Sequence, residues 1–209
     1  MEDIVIFMLM SLINEGLQYR LLIDPFLDRV HNMAASMIEP GSKVFDVACG
    51  NGTMALKMAD QAKHVTGIDL SEASIKFANN RAVKLNLNNA EFRVKDAMEL
   101  SASSDPIYDI ATISMAIHQF SPETGLHILK QLNKIAHSVL VIDYAYPQPE
   151  NFYGSLVRII ERIAGKEHFA HFNAYINGGG MPGIIQRMRL PALNAFLSES
   201  RVFAITKIK

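Results

Sequence analysis

The chain has 209 residues, of which 49% are hydrophobic and 20% charged, a composition typical of a globular domain with a sizeable core. Disordered and fibrous proteins are therefore excluded. The net charge is -1 and the charged residues are scattered, so no nucleic acid partner is predicted. The single cysteine, Cys49, cannot form an internal disulfide, which favours a reducing compartment and a cytoplasmic location.

The N-terminal stretch from Ile4 to Ile13 is apolar except for Ser11. A membrane-spanning helix needs about 20 apolar residues. A secretory signal needs basic residues where this chain has Glu2 and Asp3. We therefore expect a buried helix or a lid here, and no stable membrane insertion.

A helix is predicted from Asp24-Pro25 to Pro40-Gly41. An aspartate followed by proline is typical of a helix N-cap and first turn, and Pro-Gly is typical of a helix end. Apolar residues between these points recur at helical spacing: Phe26, Leu27, Val30, Met33, Ala34, Met37 and Ile38.

From residue 43 onward, short runs rich in valine and isoleucine alternate with segments of helical length. The runs predict strands at 43–47, 64–69, 90–95, 107–114 and 138–144. Ser71 and Ser121-Pro122 are helix-start signals between strands. This alternation predicts an α/β fold with a parallel sheet, in which ligands bind at the carboxyl ends of the strands.

The alternation stops after residue 144. The segment from Pro147 to Leu190 is helical and glycine-rich. Phe169, Phe172 and Tyr175 or Ile176 share a helical face, which favours core packing. The last two runs, 192–198 and 202–207, predict an antiparallel hairpin at one edge of the sheet.

Two other features of the segment from Pro147 to Leu190 bear on function. His168, His171 and Glu167 are close in sequence but lack the spacing of a known metal site, so no metal is predicted. The three glycines Gly178 to Gly180 are expected to end a helix and allow a bend, and they could also form the hinge of a lid.

The glycine-rich turn after the first strand is the most informative feature of the sequence. Gly50, Gly52 and Ala55 fit the loose fingerprint of a dinucleotide site, and Asp69 lies where a ribose-binding acid is expected. Asp46, however, would repel a pyrophosphate at this turn. S-adenosylmethionine carries an ammonium and a sulfonium group and no phosphate, so a carboxylate suits it.

Two further aspartates follow the second and third predicted strands. Asp69 can accept hydrogen bonds from both ribose hydroxyls, and Asp96 can accept one from the exocyclic amine of adenine. The run from Asp46 to Gly52, with Asp69 and Asp96 behind it, resembles the class I S-adenosylmethionine-dependent methyltransferases. Ala48 stands where that superfamily usually has its first glycine.

The resemblance covers roughly Tyr19 to Tyr144. It implies a doubly wound, Rossmann-like sheet of seven strands, mostly parallel, with a C-terminal antiparallel hairpin and helices on both faces. It also implies S-adenosyl-L-methionine as cofactor and S-adenosyl-L-homocysteine as product. The cofactor contacts that it implies are Asp46, Ala48, Gly50, Asn51, Gly52, Asp69, Leu70, Asp96, Ala97 and Ser114.

Within the superfamily, the segment from Tyr108 to Ser114 followed by His118, with Asp24-Pro25 upstream, is similar to the ubiquinone and menaquinone biosynthesis methyltransferases. His118 is the best-placed residue to remove a proton from an acceptor. It could equally line the pocket or cap a turn. Ser114-Met115-Ala116-Ile117 replaces the Asn-Pro-Pro-aromatic motif that marks the amino-group methyltransferases of adenine, cytosine and glutamine, so those substrates are disfavoured. Quinone-type ring carbons, phenols, small amines and carboxylates stay open as small-molecule acceptors.

We expect a single domain over 1–209. Residues 1–40 would form an N-terminal helical lid, 41–144 the cofactor-binding core, 145–190 the acceptor-binding cover and 191–209 the closing hairpin. Two other functions stay open, an NAD-dependent oxidoreductase and a non-catalytic S-adenosylmethionine-binding module. The sequence does not indicate the oligomeric state.

Overall fold

The computed structural model describes residues 17–100 and 108–209. Its first half alternates helices and strands: α1 (Leu17–Ser36), β1 (Lys43–Val47), α2 (Thr53–Met58), β2 (His64–Asp69), α3 (Glu72–Lys84), β3 (Ala90–Val94), β4 (Tyr108–Ser114), α4 (Pro122–Ile135) and β5 (Ala136–Tyr144). Three helices and two strands follow: α5 (Phe152–Ile163), α6 (Lys166–Asn177), α7 (Gly180–Met188), β6 (Ala192–Leu197) and β7 (Phe203–Ile208).

The seven strands form one sheet in the order β3-β2-β1-β4-β5-β7-β6. The strands β1 to β5 are parallel, while β7 pairs antiparallel with both β5 and β6. Strand β5 is buried along nearly its whole length, as expected for a parallel strand covered on both faces. The predicted α/β sheet with its closing hairpin is therefore confirmed.

The chain leaves β1 in one direction through β2 and β3, and then crosses back to β4 and β5 on the other side. Right-handed crossovers in opposite directions place the connecting helices on opposite faces of the sheet. The core between these layers is apolar, and its largest fully buried side chains include Ile68, Ile113, Leu129 and Leu140.

The predicted caps of the connecting helices are confirmed. The Ser71 hydroxyl accepts a hydrogen bond from the Ser74 backbone N–H at 3.2 Å, so it caps α3. The Ser121 hydroxyl does the same for the Thr124 N–H, and Pro122 occupies the first turn of α4. Each cap pairs one of the four backbone N–H groups that a helix start leaves unpaired.

The predicted limits of the N-terminal helix are wrong. Helix α1 already includes Leu17, so Asp24 and Pro25 lie inside it, and it ends at Ser36 before Pro40-Gly41. Proline lacks the N–H that bonds four residues back, so α1 continues past Pro25 with one backbone hydrogen bond fewer. The expected helix over Ile4 to Ile13 lies outside the described residues.

Among the described residues, none of the helices combines the length and apolar composition that a bilayer crossing requires.

Candidate functional site

Two adjoining cavities lie at the carboxyl ends of the parallel strands. The strand order reverses between β1 and β4, which opens a crevice there. The first cavity, of about 420 Å³, lies at the ends of β1 and β4 and reaches α1, α5 and α6. The second, of about 540 Å³, follows the ends of β2 and β3. Both are lined by Ala48, Gly50, Met115 and Gln119.

The glycine-rich turn between β1 and α2 forms the shared wall of the two cavities. Ala48, Gly50 and Gly52 have φ values of 53°, 52° and 76°, in the left-handed region that favours glycine. At Gly52 a Cβ would lie 3.0 Å from the Phe92 ring, so this glycine permits close packing behind the turn without lining either cavity. Ala48 adopts the same backbone region with a methyl group, at some conformational cost.

Asn51 also belongs to this turn and lines the first cavity. Its side-chain oxygen accepts hydrogen bonds from the Thr53 backbone N–H at 3.2 Å and from the Thr53 hydroxyl at 2.6 Å. The Arg81 guanidinium donates to the Asn51 carbonyl at 3.0 Å. Asn51 therefore fixes the start of α2.

Asp46 is 1% exposed and lines the first cavity. Its Oδ1 accepts a hydrogen bond of 2.6 Å from the Thr112 hydroxyl, whereas its buried Oδ2 has no hydrogen-bond partner. Burial, offset in part by the Thr112 hydrogen bond, raises the pKa of Asp46 to about 7. A buried carboxylate that lines a cavity and has one oxygen unpaired suits a cationic ligand.

Asp69 and Asp96 both line the second cavity, together with the predicted contacts Leu70 and Ala97. Asp69 accepts hydrogen bonds from the backbone N–H of Gly50 at 2.8 Å and of Ser71 at 2.9 Å, so it ties the glycine turn to α3. Its two oxygens retain further lone pairs for a ligand.

Asp96 accepts from the Met98 N–H at 2.8 Å and begins a short 3₁₀ turn, so it also has a local structural role. The structure thus places the three acids along one crevice, with Asp46 in the first cavity and the other two in the second.

His118 lies in a 3₁₀ turn after β4, is 1% exposed and lines the first cavity. Its Nδ1 is 2.6 Å from Asp143 Oδ1, and its backbone N–H donates to Asp143 Oδ2 at 3.2 Å. Burial opposes the charged imidazolium, but the Asp143 carboxylate outweighs it and raises the pKa of His118. The contact with Asp143 leaves Nε2 as the ring nitrogen available to a ligand.

Glu161 on α5 and His168 on α6 lie close to His118 in the first cavity. Glu161 of α5 is 2% exposed, with Oε1 3.7 Å from His118 Nε2. The Tyr144 hydroxyl donates to the same Oε1 at 2.7 Å. Glu161 Oε2 lies 2.5 Å from Nε2 of His168 on α6.

Neither Glu161 nor His31 was predicted from the sequence as a site residue. Glu161 shares the apolar face of α5 with Val157 and Ile160, and a carboxylate on such a face was the available signal. His31 of α1 lines the first cavity, and its Nε2 is 2.8 Å from the hydroxyl of the predicted contact Ser114. Burial lowers the pKa of His31 to about 4, so this imidazole is neutral at pH 7.

The aromatic residues and glycines of the covering segment have structural roles, as does Cys49 in the glycine turn. Phe172 and Tyr175 are buried, which confirms core packing of the aromatic face. Gly178 ends α6, and Gly179 turns the chain with a φ of 87°. Cys49 is buried, and burial raises the pKa of its thiol, so it packs as a small side chain.

Comparison with known proteins of similar sequence gives two findings. A family model described as a methyltransferase domain matches residues 38–173. A ubiquinone biosynthesis O-methyltransferase from Leptothrix cholodnii is 36% identical over 95 residues, which are 45% of this chain and 40% of that protein. The chain thus spans about two fifths of the length of this curated relative.

Solved structures share the fold at low sequence identity. Magnesium protoporphyrin IX methyltransferase from Synechocystis PCC 6803 with bound SAH has a TM-score of 0.63 and 18% identity, covering 88% of this chain and 81% of that one. An O-methyltransferase from neocarzinostatin biosynthesis, in complex with S-adenosylmethionine and 2-hydroxy-5-methyl naphthoic acid, has a TM-score of 0.67 and 16% identity, covering 93% and 57%. At such identities the likeness shows the fold alone.

Proposed function

The chain belongs to the family of methyltransferase domains, and on that premise we propose that it transfers a methyl group from S-adenosylmethionine to a small-molecule acceptor. The observation that carries the proposal is the buried Asp46 carboxylate, which lines the first cavity beside the glycine turn and whose Oδ2 has no hydrogen-bond partner. Its negative charge, present above about pH 7, favours a cationic cofactor and opposes a pyrophosphate.

The proposed cofactor spans both cavities. Its ribose hydroxyls bind the free lone pairs of Asp69, and its adenine amine binds Asp96, since both acids line the second cavity. Its ammonium and sulfonium groups then lie towards Asp46 in the first cavity. Ala48 and Gly50, which line both cavities, would contact the cofactor between these ends.

The proposed reaction is an in-line displacement. A lone pair of the acceptor forms a bond to the methyl carbon while the carbon–sulfur bond breaks, and its electron pair stays on sulfur, giving S-adenosylhomocysteine. Holding the two reactants in line can supply about 7 to 11 kcal/mol of the barrier. His118 lies in the part of the first cavity left for the acceptor, so we assign it to the acceptor rather than to the cofactor.

We propose an oxygen acceptor, such as a phenolic hydroxyl. The curated relatives are named ubiquinone biosynthesis O-methyltransferases, which supports this class. The size of the first cavity is in the range of sites for small molecules.

Calorimetric titration with S-adenosylmethionine and, separately, with NAD tests the cofactor. We expect saturable binding of S-adenosylmethionine and no response to NAD. Binding of NAD alone would instead support an oxidoreductase.

A screen of phenolic and other hydroxylated acceptors for release of S-adenosylhomocysteine tests turnover. Tight cofactor binding without turnover on any acceptor would favour a non-catalytic binding module and contradict the proposed reaction.

A further inference from the structure

Three potential metal-ligand side chains converge in the first cavity. They are His118 after β4, Glu161 on α5 and His168 on α6, and all three line the cavity. One ligand atom from each lies within 4.8 Å of the other two. The closest pairs are His168 Nε2 with Glu161 Oε2 at 2.5 Å and His118 Nε2 with Glu161 Oε1 at 3.7 Å.

The side-chain atoms of His118 and Glu161 that would bind a metal ion are available to it. Asp143 holds Nδ1 of His118 and so orients Nε2 towards Glu161, the arrangement in which a carboxylate supports a metal-bound histidine. Glu161 Oε2 is buried and makes no hydrogen bond, and it lies 2.5 Å from His168 Nε2. A buried acceptor without a donor is unfavourable, and a cation would satisfy it.

We propose that His118, Glu161 and His168 bind one divalent transition-metal ion of the zinc type. Two imidazoles and one carboxylate are a donor set typical of such ions, with coordination positions left open. The Asp143 and Glu161 carboxylates, both buried, balance the charge of a dication when both imidazoles are neutral.

The geometry needs only a small adjustment. Bonds of about 2.0 to 2.2 Å from zinc place tetrahedral ligand atoms roughly 3.3 to 3.6 Å apart. The atoms here lie within 4.8 Å of one another, so the furthest pair must approach by up to roughly 1.2 to 1.5 Å. His168 Nε2 and Glu161 Oε2, now 2.5 Å apart, must separate by about 1 Å. The His168 side chain is 25% exposed and can supply this movement by rotation.

This site deepens the proposed function and rests on it. Because His118, Glu161 and His168 line the cavity assigned to the acceptor, a cation that they hold would bind an acceptor hydroxyl there and lower its pKa. With the hydroxyl proton released to solvent water, the acceptor oxygen would attack the methyl carbon while the electron pair of the carbon–sulfur bond stays on sulfur. His118 thus acts on the acceptor through the cation, in place of the direct proton removal expected from the sequence.

Cobalt titration of the metal-stripped full chain tests the site, because bound Co²⁺ absorbs visible light and Zn²⁺ should displace it. We expect one ion per chain. Glu161→Gln keeps the shape of the side chain, and His168→Ala changes a partly exposed residue, so the two variants provide independent tests. Each should weaken binding at least 100-fold, whereas His137→Ala, an exposed histidine on β5, should bind like the wild type.

Absence of stoichiometric Co²⁺ and Zn²⁺ binding to the wild type would overturn the inference, as would wild-type affinity in both ligand variants. Calorimetry with S-adenosylmethionine on the same samples separates this failure from that of the proposed function. If methyl transfer persists undiminished after the metal has been chelated, the metal has no part in the reaction and the proposed function still stands. If the chain binds metal but not S-adenosylmethionine, the metal site stands and the proposed function fails.

Discussion

At the scale of single residues, the Asp46 carboxylate is buried at a cost to folding stability. Burial raises its pKa in the folded chain to about 7, so the folded chain keeps a proton that the unfolded chain releases at lower pH. This group therefore makes the free energy of unfolding fall as pH rises from about 4 to about 7. Above that range Asp46 is charged, and the charge is available for a cationic ligand.

The first prediction concerns Asp46→Asn. Asparagine keeps an oxygen for the Thr112 hydroxyl but removes the charge. In the wild type, affinity for S-adenosylmethionine should rise up to about tenfold between pH 6 and pH 8 as Asp46 ionises. In the variant, calorimetry should show weaker binding without this rise, and the protein should melt at a higher temperature at pH 8. A wild-type pH profile in the variant would contradict the assignment.

The second prediction concerns Asp69→Ala. Loss of charged hydrogen bonds to the ribose should weaken S-adenosylmethionine binding by about 1.5 to 3 kcal/mol. Glu72→Ala, an exposed acid in the first turn of α3, provides the matched control and should bind normally. Unaltered affinity of Asp69→Ala would mean that the ribose binds elsewhere.

The third prediction concerns His118→Ala. Because His118 lies on the acceptor side of the first cavity, kcat should fall at least about tenfold. Affinity for S-adenosylmethionine should change little, since the proposed cofactor contacts come from other residues. Steady-state kinetics and calorimetry measure the two effects separately. Unchanged turnover would remove His118 from the mechanism.

At the scale of secondary-structure elements, Gly67 lets β2 approach its neighbours closely. A Cβ on Gly67 would lie 2.5 Å from Cδ1 of the Phe92 ring on β3 and 3.0 Å from Sγ of Cys49 in the glycine turn. Phe92 is itself buried and cannot move away freely. The absence of a side chain at Gly67 therefore helps to position the turn that separates the two cavities.

The fourth prediction follows from this contact. Gly67→Ala should lower the free energy of unfolding by roughly 1 to 3 kcal/mol through overpacking, as measured by denaturant titration. The control is Gly125→Ala on α4, where a Cβ would lie 3.7 Å from the nearest atom and would favour the helix. The free energy of unfolding of Gly125→Ala should equal or exceed that of the wild type. Equal stability of both variants would show that β2 and β3 can separate without cost.

At the scale of the whole molecule, the proposed cofactor would link elements that are far apart in sequence. The two cavities join the ends of β1 to β4 with the helices that cover them. A ligand that binds only this folded arrangement stabilises it by mass action.

The fifth prediction is a thermal shift. S-adenosylmethionine at 100 times its dissociation constant should stabilise the fold by about 2.7 kcal/mol, which for a chain of this size is roughly 5 to 11 °C in Tm. Differential scanning fluorimetry measures the shift, and NAD at the same concentration should give none. A shift with NAD alone would contradict the choice of cofactor.

The sequence by itself determined the strands, the caps of α3 and α4, and the family. Strand residues and caps such as Ser71 depend on neighbours within a few positions, and the run from Asp46 to Gly52 is contiguous. The crevice containing Asp46, Asp69 and Asp96 could also be predicted, because parallel strands end at the same edge of a sheet. The resemblance to class I S-adenosylmethionine-dependent methyltransferases is confirmed by the family match.

Only the tertiary structure decided which side chains meet His118. Glu161 and His168 lie on helices whose positions depend on packing between residues far apart in sequence. In the sequence, His168 stands beside Glu167 and His171, whose spacing predicts no metal site. In the structure Glu167 is exposed and His171 contacts the Gln119 carbonyl. Likewise Asp24-Pro25 matches a local helix-start pattern, yet α1 continues through it. Long-range packing is not encoded in any short stretch of sequence, so these features required the folded chain.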